Sequence, residues 1–143
     1  MKLECECFAL DAKGRGLVRI QDKVLSISNL LPGEKAILEI NQKKNFIDAK
    51  VIEIISISKH RVEPSCSHFS QCGGCQLLHL DYKAQLDFKR RQLVKLFKKE
   101  VQIPAILGME DPYRYRNKVH STFSLSKKGK VISGIYEENS HHV

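Results

Sequence analysis

The stretch CSHFSQCGGCQLLH, residues 66–79, organises the chain because it places three cysteines at a C-x5-C-x2-C spacing. Two thiolates separated by two residues can turn onto one metal centre, and the Gly73-Gly74 pair allows backbone conformations that a Cβ would forbid. The residues around the cysteines are polar, which argues against buried thiols without a ligand. We therefore predict that Cys66, Cys72 and Cys75 bind a metal ion or an iron-sulfur cluster.

The spacing leaves the identity of the metal open. His68 or His79 could complete a tetrahedral zinc site of the Cys3His kind. Alternatively, three cysteines with a fourth from elsewhere would suit an iron-sulfur cluster, which is normally held by four thiolates. Taken singly, each histidine is more often a hydrogen-bonded residue of a loop or helix start than a ligand.

The composition is that of a soluble globular protein, with 42% hydrophobic and 28% charged residues in a chain of 143. The apolar runs are too short to span a membrane, and the first ten residues, MKLECECFAL, are too charged for a secretory signal. An odd number of cysteines, five, without an export signal favours reduced thiols over a disulfide framework. We expect a cytoplasmic protein.

The net charge of +8 is unevenly distributed along the chain. Residues 81–100 hold seven Lys or Arg against three acids, whereas residues 1–60 hold ten against eight. A concentrated cationic segment of this kind predicts a polyanionic partner. The alternative is a basic face that is only a solvated surface. We expect no role for a membrane or for DNA.

Residues 1–60 alternate between short β-prone runs and turn residues, a pattern that predicts a small five-stranded barrel. Cys5 and Cys7 alternate along the first strand, so they share a face and are predicted to be packing thiols rather than ligands. The alternation is clearest in residues 36–40 and 51–57, and the predicted breaks fall at Lys13-Gly14, Gln21-Asp22, Leu31-Pro32-Gly33 and Lys43-Lys44.

After the linker and cysteine loop, residues 61–80, the sequence LDYKAQLDFKRRQLVKLFKK predicts one amphipathic helix. Asp81 suits the N-cap, and Lys98-Lys99 suit the C-terminus of the helix, where the helix dipole favours positive charge. The predicted apolar stripe is Tyr82, Leu86, Leu93 and Phe97, and the predicted basic side is Lys83, Arg90, Arg91, Lys95 and Lys99.

The last third of the chain predicts two strands joined by a polar turn at residues 126–129. In the first strand Val119, Ser121, Phe123 and Leu125 alternate towards one face, and the second strand runs from Val131 to Tyr136. The run YRYRNK precedes them. Tyrosines interleaved with cations suit nucleic acid, because rings stack on bases while cations meet phosphates. The alternative is a strand edge guarded by charges. The predicted RNA-binding residues are Tyr113, Arg114, Tyr115, Arg116, Asn117 and Lys118, with Arg90 and Arg91 on the helix.

Residues 1–60 resemble a TRAM domain, the small OB-like barrel found on RNA-modifying enzymes. The resemblance lies in Gly14-x-Gly16, in Leu31-Pro32-Gly33-Glu34 and in the closing run AKVIEIISISKHRVEP. It implies a mostly β fold with one α-helix, in which the barrel is followed by the cysteine loop, the basic helix and part of an α+β central domain, residues 81–143.

Taken as a whole, the chain resembles the N-terminal part of the RNA (uracil-5-)-methyltransferase family, which forms 5-methyluridine in 23S ribosomal RNA or transfer RNA. The motifs that carry this resemblance are EPSCSHFSQCGGCQLLHLDY, PYRYRNKVHSTFS and ISGIYEENSHHV. It implies that Cys66, Cys72 and Cys75 bind a 4Fe-4S cluster whose fourth thiolate comes from just beyond the last motif.

The resemblance also implies that catalysis takes place elsewhere in such a protein. Uracil C5 methylation needs a cysteine that adds at C6, a base and a methyl donor. The family places these groups and the S-adenosylmethionine pocket in a downstream domain, so this chain is expected to position ribosomal RNA and to be inactive alone. Two alternatives stay open, namely a stand-alone zinc- or iron-sulfur-binding RNA adapter and a piece of a transfer RNA uracil-5-methyltransferase.

Overall fold

The computed structural model describes residues 1–42, 47–97, 100–138 and 140–143, without the side chain of Gln42. Two predicted features, the break at Lys43-Lys44 and the basic helix end at Lys98-Lys99, lie outside these residues. The described residues are mostly β with one α-helix, which confirms the predicted fold class. They form two compact units, one of residues 1–63 with 79–81 and one of residues 64–78 with 82–143.

The first unit is a five-stranded antiparallel sheet of β1 Lys2–Leu10, β2 Gly16–Ile20, β3 Lys23–Ile27, β4 Lys35–Gln42 and β5 Ile47–Ser56. The strand order in the sheet is β3-β2-β1-β4-β5. The central strand β1 pairs through its first half with β4 and through its second half with β2, and the register shifts between Cys7 and Ala9. Such a bulge bends a strand, and the edge strands β3 and β5 approach each other. The sheet is therefore consistent with the predicted OB-like barrel.

The core of the barrel contains the inward-facing residues of the first four strands. Cys5 and Cys7 are both buried in it, which confirms their prediction as packing thiols. Burial raises the pKa of the Cys7 thiol to about 11, so this group stays protonated and does not act as a thiolate ligand near neutral pH. The buried core residues are Cys5, Cys7, Val18, Ile27, Leu30, Ala36, Leu38 and Ile40.

The positions of Gly16 and Gly33 in the barrel explain why its motifs contain glycine. A Cβ on Gly16 would lie 2.5 Å from the carbonyl oxygen of Leu30 and 2.8 Å from the sulfur of Cys7, so only glycine fits this close approach. Gly33 has a φ of +83° in the turn before β4, which is a left-handed conformation that side chains disfavour. The turn places Glu34 inside the barrel.

Glu34 is fully buried and holds the linker to the barrel through Arg61. Arg61 Nε donates to Glu34 Oε1 at 2.6 Å, and the Nη2 group donates to Glu34 Oε2 and to the carbonyl of Asn29, both at 2.8 Å. Burial alone would raise the pKa of Glu34, but the Arg61 hydrogen bonds and the backbone donors of Leu31 and Ser58 hold it below its ordinary value. The sequence motifs contained both residues, but their pairing was not predicted.

The second unit contains the helix α1, Tyr82–Leu96, directly after Asp81, the predicted N-cap. Tyr82 and Leu86 lie against Gly108, as predicted for the apolar stripe, and Tyr82 Oη accepts a hydrogen bond from the backbone of Met109. The prediction that Phe97 belongs to the apolar stripe of the helix is wrong, because this residue follows the end of α1 and is exposed. The buried residue of α1 is instead Phe88, which the predicted stripe omitted.

The unit also contains a hairpin of β6, Thr122–Leu125, and β7, Val131–Gly134, paired antiparallel. The hairpin was predicted, although both strands are shorter than expected. Across the described ranges, no helix combines the length and apolar character needed to cross a membrane.

Candidate nucleic-acid interface and cysteine loop

The run YRYRNK, residues 113–118, forms an exposed loop rather than a strand. Its start is shaped by Asp111, whose Oδ1 accepts a hydrogen bond from the backbone of Tyr113 at 3.0 Å. Arg114 then adopts a φ of +53°, a conformation that interrupts an extended strand. The interpretation as a charged strand edge is therefore wrong, and side chains of a loop are not restricted to two opposite faces.

The two tyrosines of this loop present their rings to solvent. Tyr113 is 52% and Tyr115 64% exposed. The guanidinium carbon of Arg116 lies 5.9 Å from the centroid of the Tyr115 ring, within the range of a cation–π contact. A ring and a cation held side by side can stack on a base and meet an adjacent phosphate. The remaining predicted residues of the loop, Arg114, Asn117 and Lys118, are exposed as well.

The two predicted arginines of α1 differ in what they contact. Arg90 Nε donates to the carbonyls of Ile103 and Pro104, both at 3.1 Å, and its Nη2 group donates to Ile103 at 2.9 Å. These bonds tie the helix to the segment that follows it, so Arg90 has a structural role that the sequence did not indicate. Arg91 is exposed on the same helix.

The cysteine loop is built from short-range backbone hydrogen bonds and a pairing with the end of the chain. The backbone N–H of Cys72 donates to the carbonyl of His68 at 2.8 Å, and Phe69, between Cys66 and Cys72 in the sequence, is buried. The backbone N–H of Gly73 donates to the carbonyl of Tyr136 at 3.0 Å, and the backbone N–H of Glu138 donates to the carbonyl of Gln71 at 2.8 Å. A Cβ on Gly73 would lie 3.1 Å from that Tyr136 oxygen, which explains the glycine at this position.

The segment that pairs with the cysteine loop belongs to the motif ISGIYEENSHHV. The backbone N–H of Glu137 donates to the carbonyl of His142 at 2.8 Å, and His142 donates to Ser140 Oγ at 3.0 Å. The rings of Tyr136 and His141 meet edge to face with centroids 5.5 Å apart. The last residues of the chain are thereby held next to Cys72, in the same unit as all three cysteines.

The three cysteines have suitable chemistry for a metal centre but do not form one as described. They are unpaired thiols, with Cys66 and Cys75 exposed and Cys72 partly buried. In the described part of the chain, no three Cys, His, Asp or Glu side chains lie close enough together to hold a metal ion. The donor set fits thiolate ligation, whereas the positions of the sulfur atoms do not fit a formed site.

His79, one candidate zinc ligand, is fully buried and belongs to the first unit, whereas the three cysteines belong to the second. Burial, together with the Arg61 cation, lowers the pKa of His79 to about 4, so the ring is neutral at physiological pH. Its backbone carbonyl accepts a hydrogen bond from Val62 at 2.9 Å. These contacts support the reading of His79 as a structural residue.

Comparison with known proteins relates the chain to RNA methyltransferases. It is 40% identical over 141 residues to an uncharacterized RNA methyltransferase of Clostridium tetani, and the match covers 94% of this chain and 30% of that protein. A protein of the same description from Staphylococcus epidermidis is 41% identical over 140 residues, covering 94% and 31%. One from Listeria monocytogenes is 42% identical over 135 residues, covering 91% and 30%.

The chain therefore spans about 30% of the length of the curated relatives that it matches. The predicted similarity to RNA methyltransferases is confirmed at this level. No family model matches the chain.

Proposed function

We propose that the chain is the RNA-recognition part of an S-adenosylmethionine-dependent 23S ribosomal RNA (uracil-5-)-methyltransferase. Similarity over 94% of the chain to proteins named RNA methyltransferases carries the proposal. The cysteine and YRYRNK motifs support the choice of uracil C5 in ribosomal RNA. Methyl transfer itself is assigned to residues outside these 143, in keeping with the share of the relatives that the chain spans.

The exposed loop of residues 113–118 is the proposed site of RNA contact. It offers two aromatic rings and three cations within six residues, and it contains no acid. Unpaired bases in RNA loops are recognised by stacking on such rings, while the phosphates are met by cations. The barrel adds a second folded unit of the kind that binds single-stranded RNA.

In this proposal Cys66, Cys72 and Cys75 hold a 4Fe-4S cluster, with a fourth thiolate supplied from beyond Val143. The support is the free state of the three thiols and the pairing of Cys72 with the end of the chain. The sulfur atoms must converge from their described positions for binding. When bound, the cluster braces the loop covalently against its neighbours, and no step of the reaction is assigned to it.

The test of RNA recognition is a binding titration with Arg116→Ala. Each lost contact to single-stranded RNA lowers the salt slope of log K by about 0.7. We expect Arg116→Ala to weaken binding to an unmodified 23S ribosomal RNA stem-loop and to flatten the salt dependence by about one contact. The matched control is Lys50→Ala, which removes an equal charge from an exposed position on β5.

The outcome that contradicts the proposed site is equally specific. If Arg116→Ala left both affinity and salt slope unchanged while Arg19→Ala on β2 abolished binding, the RNA site would belong to the barrel. If the chain bound zinc and a wide range of RNAs without preference for ribosomal RNA, the stand-alone adapter would be the better assignment.

A further inference from the structure

The β6–β7 hairpin presents large apolar side chains to solvent on one of its faces. Phe123 is 75%, Leu125 69% and Val131 71% exposed. Leu125 lies directly opposite Val131, and Phe123 lies opposite Ser133, whose small side chain leaves the ring accessible. The alternating residues of the other face are partly buried. An exposed apolar face of this kind marks an interaction surface.

The turn of this hairpin holds three lysines at its tip. The backbone N–H of Ser126 donates to the carbonyl of Lys130 at 2.8 Å, and the backbone N–H of Lys130 donates back to Ser126 Oγ at 3.1 Å. Gly129 closes the turn with a φ of +73°. Lys127, Lys128 and Lys130 are all exposed. The rigid turn therefore fixes a cationic tip at the end of the apolar face.

The charge of the surrounding sequence identifies the class of partner. Residues 113–134 contain six Lys or Arg and no Asp or Glu. This stretch includes the proposed RNA-contacting loop and the whole hairpin. Strong positive charge without interspersed acids favours a polyanion. A second copy of the chain docked symmetrically on this face would bring two cationic tips near each other, which like-charge repulsion disfavours.

We propose that the β6–β7 hairpin is a second contact for single-stranded RNA, in which Phe123 stacks on a base and the tip lysines meet phosphates. The strand rise of about 3.3 Å per residue places Phe123 roughly 10 Å from Ser126, so one short RNA segment can reach both. Leu125 and Val131 flank the stacked base. This inference rests on the proposed RNA-binding function and extends its site beyond residues 113–118.

Affinity and salt dependence separate the two parts of the hairpin contact. The probe is a short fluorescein-labelled single-stranded RNA, titrated with the whole 143-residue chain and followed by fluorescence anisotropy. We expect Phe123→Ala to weaken binding roughly 5- to 150-fold without changing the salt slope, because it removes stacking but no charge. The Lys127→Ala/Lys128→Ala double variant is expected to reduce the magnitude of the slope by about 1.4.

Conservative variants distinguish stacking from a loss of fold. Phe123→Tyr keeps a ring and should retain the wild-type affinity, whereas Phe123→Leu keeps apolar area and should not. The matched control is Phe97→Ala, which removes another exposed ring in the same unit and should leave the affinity unchanged. Because Phe123 is largely exposed, circular dichroism of all variants should match the wild type.

Each contrary result has a distinct meaning. If Arg116→Ala weakened binding while Phe123→Ala did not, the hairpin inference would be overturned and the proposed function would stand. If the wild-type chain failed to bind RNA at low salt, both would fall. If Phe123→Ala abolished self-association or binding to anionic lipid vesicles but left RNA affinity unchanged, the face would belong to that other partner and the hairpin contact with RNA would be wrong.

Discussion

Glu34 shows how one residue can join a sequence motif to the stability of the whole barrel. Its carboxylate is fully buried and accepts hydrogen bonds from Arg61, Leu31 and Ser58. The sequence predicted the turn that contains Glu34, because Pro32-Gly33 is a strong turn signal. It did not predict the partner, since Arg61 lies 27 residues away and no local pattern links the two.

Breaking this pair should destabilise the barrel. Glu34→Gln keeps the size of the side chain but leaves the Arg61 cation without its counter-charge, and breaking a buried pair in this way costs about 3 to 5 kcal/mol. We expect the free energy of unfolding in urea, followed by circular dichroism, to fall by about this amount. The control is Glu34→Leu/Arg61→Met, which removes both charges and should cost less. Equal losses for the two proteins would contradict the account.

The shifted pKa values of His79 and Glu34 predict how the stability of the barrel depends on pH. The folded pKa of His79 is lowered from 6.5 to about 4, so the unfolded chain binds this proton more readily and stability falls as pH drops through that window. The folded pKa of Glu34 also lies below its ordinary value of 4.5, so its contribution is present above that pH and is lost below it. Glu34→Gln should remove the lower component, and an unchanged acid profile would contradict this assignment.

At the scale of elements, the alternation of apolar residues was sufficient to predict the five strands of the barrel and the final hairpin. It was not sufficient for α1, where the predicted stripe missed Phe88. It also could not decide between strand and loop for YRYRNK, because alternating tyrosines and cations fit both. The left-handed backbone of Arg114 shows that the run is a loop. Neither an arginine nor its neighbours in this sequence signal such a conformation.

The cysteine loop is expected to bind an iron-sulfur cluster when iron and sulfide are supplied. We expect the chain, incubated anaerobically with iron, sulfide and a small thiol as fourth ligand, to gain the broad visible absorption of a cluster. Cys72→Ser should abolish this absorption because a thiolate ligand is lost. The matched control is Cys5→Ala, which removes a buried core thiol and should leave the absorption intact. Stoichiometric zinc binding without iron would contradict the cluster assignment.

At the scale of the whole molecule, composition and charge predicted a globular chain with a polyanionic partner, and the comparisons relate the chain to RNA methyltransferases. The motifs identified the three cysteines and the YRYRNK run, and the structure groups both in the second unit and gives their local conformations. The spacing of the three cysteines permits a turn onto one metal centre without requiring it, and in the described residues the three sulfur atoms do not lie close enough together to hold a metal ion.

The central claim, that residues 113–118 contact ribosomal RNA, is tested most directly by ultraviolet crosslinking of the chain to unmodified 23S ribosomal RNA. Cleavage after Glu110 and Glu137 releases residues 111–137 as one peptide, in which mass spectrometry can locate the crosslinked side chain. We predict nucleotide adducts on Tyr113 or Tyr115. Adducts confined to residues 1–63, with none in the released peptide, would contradict the account.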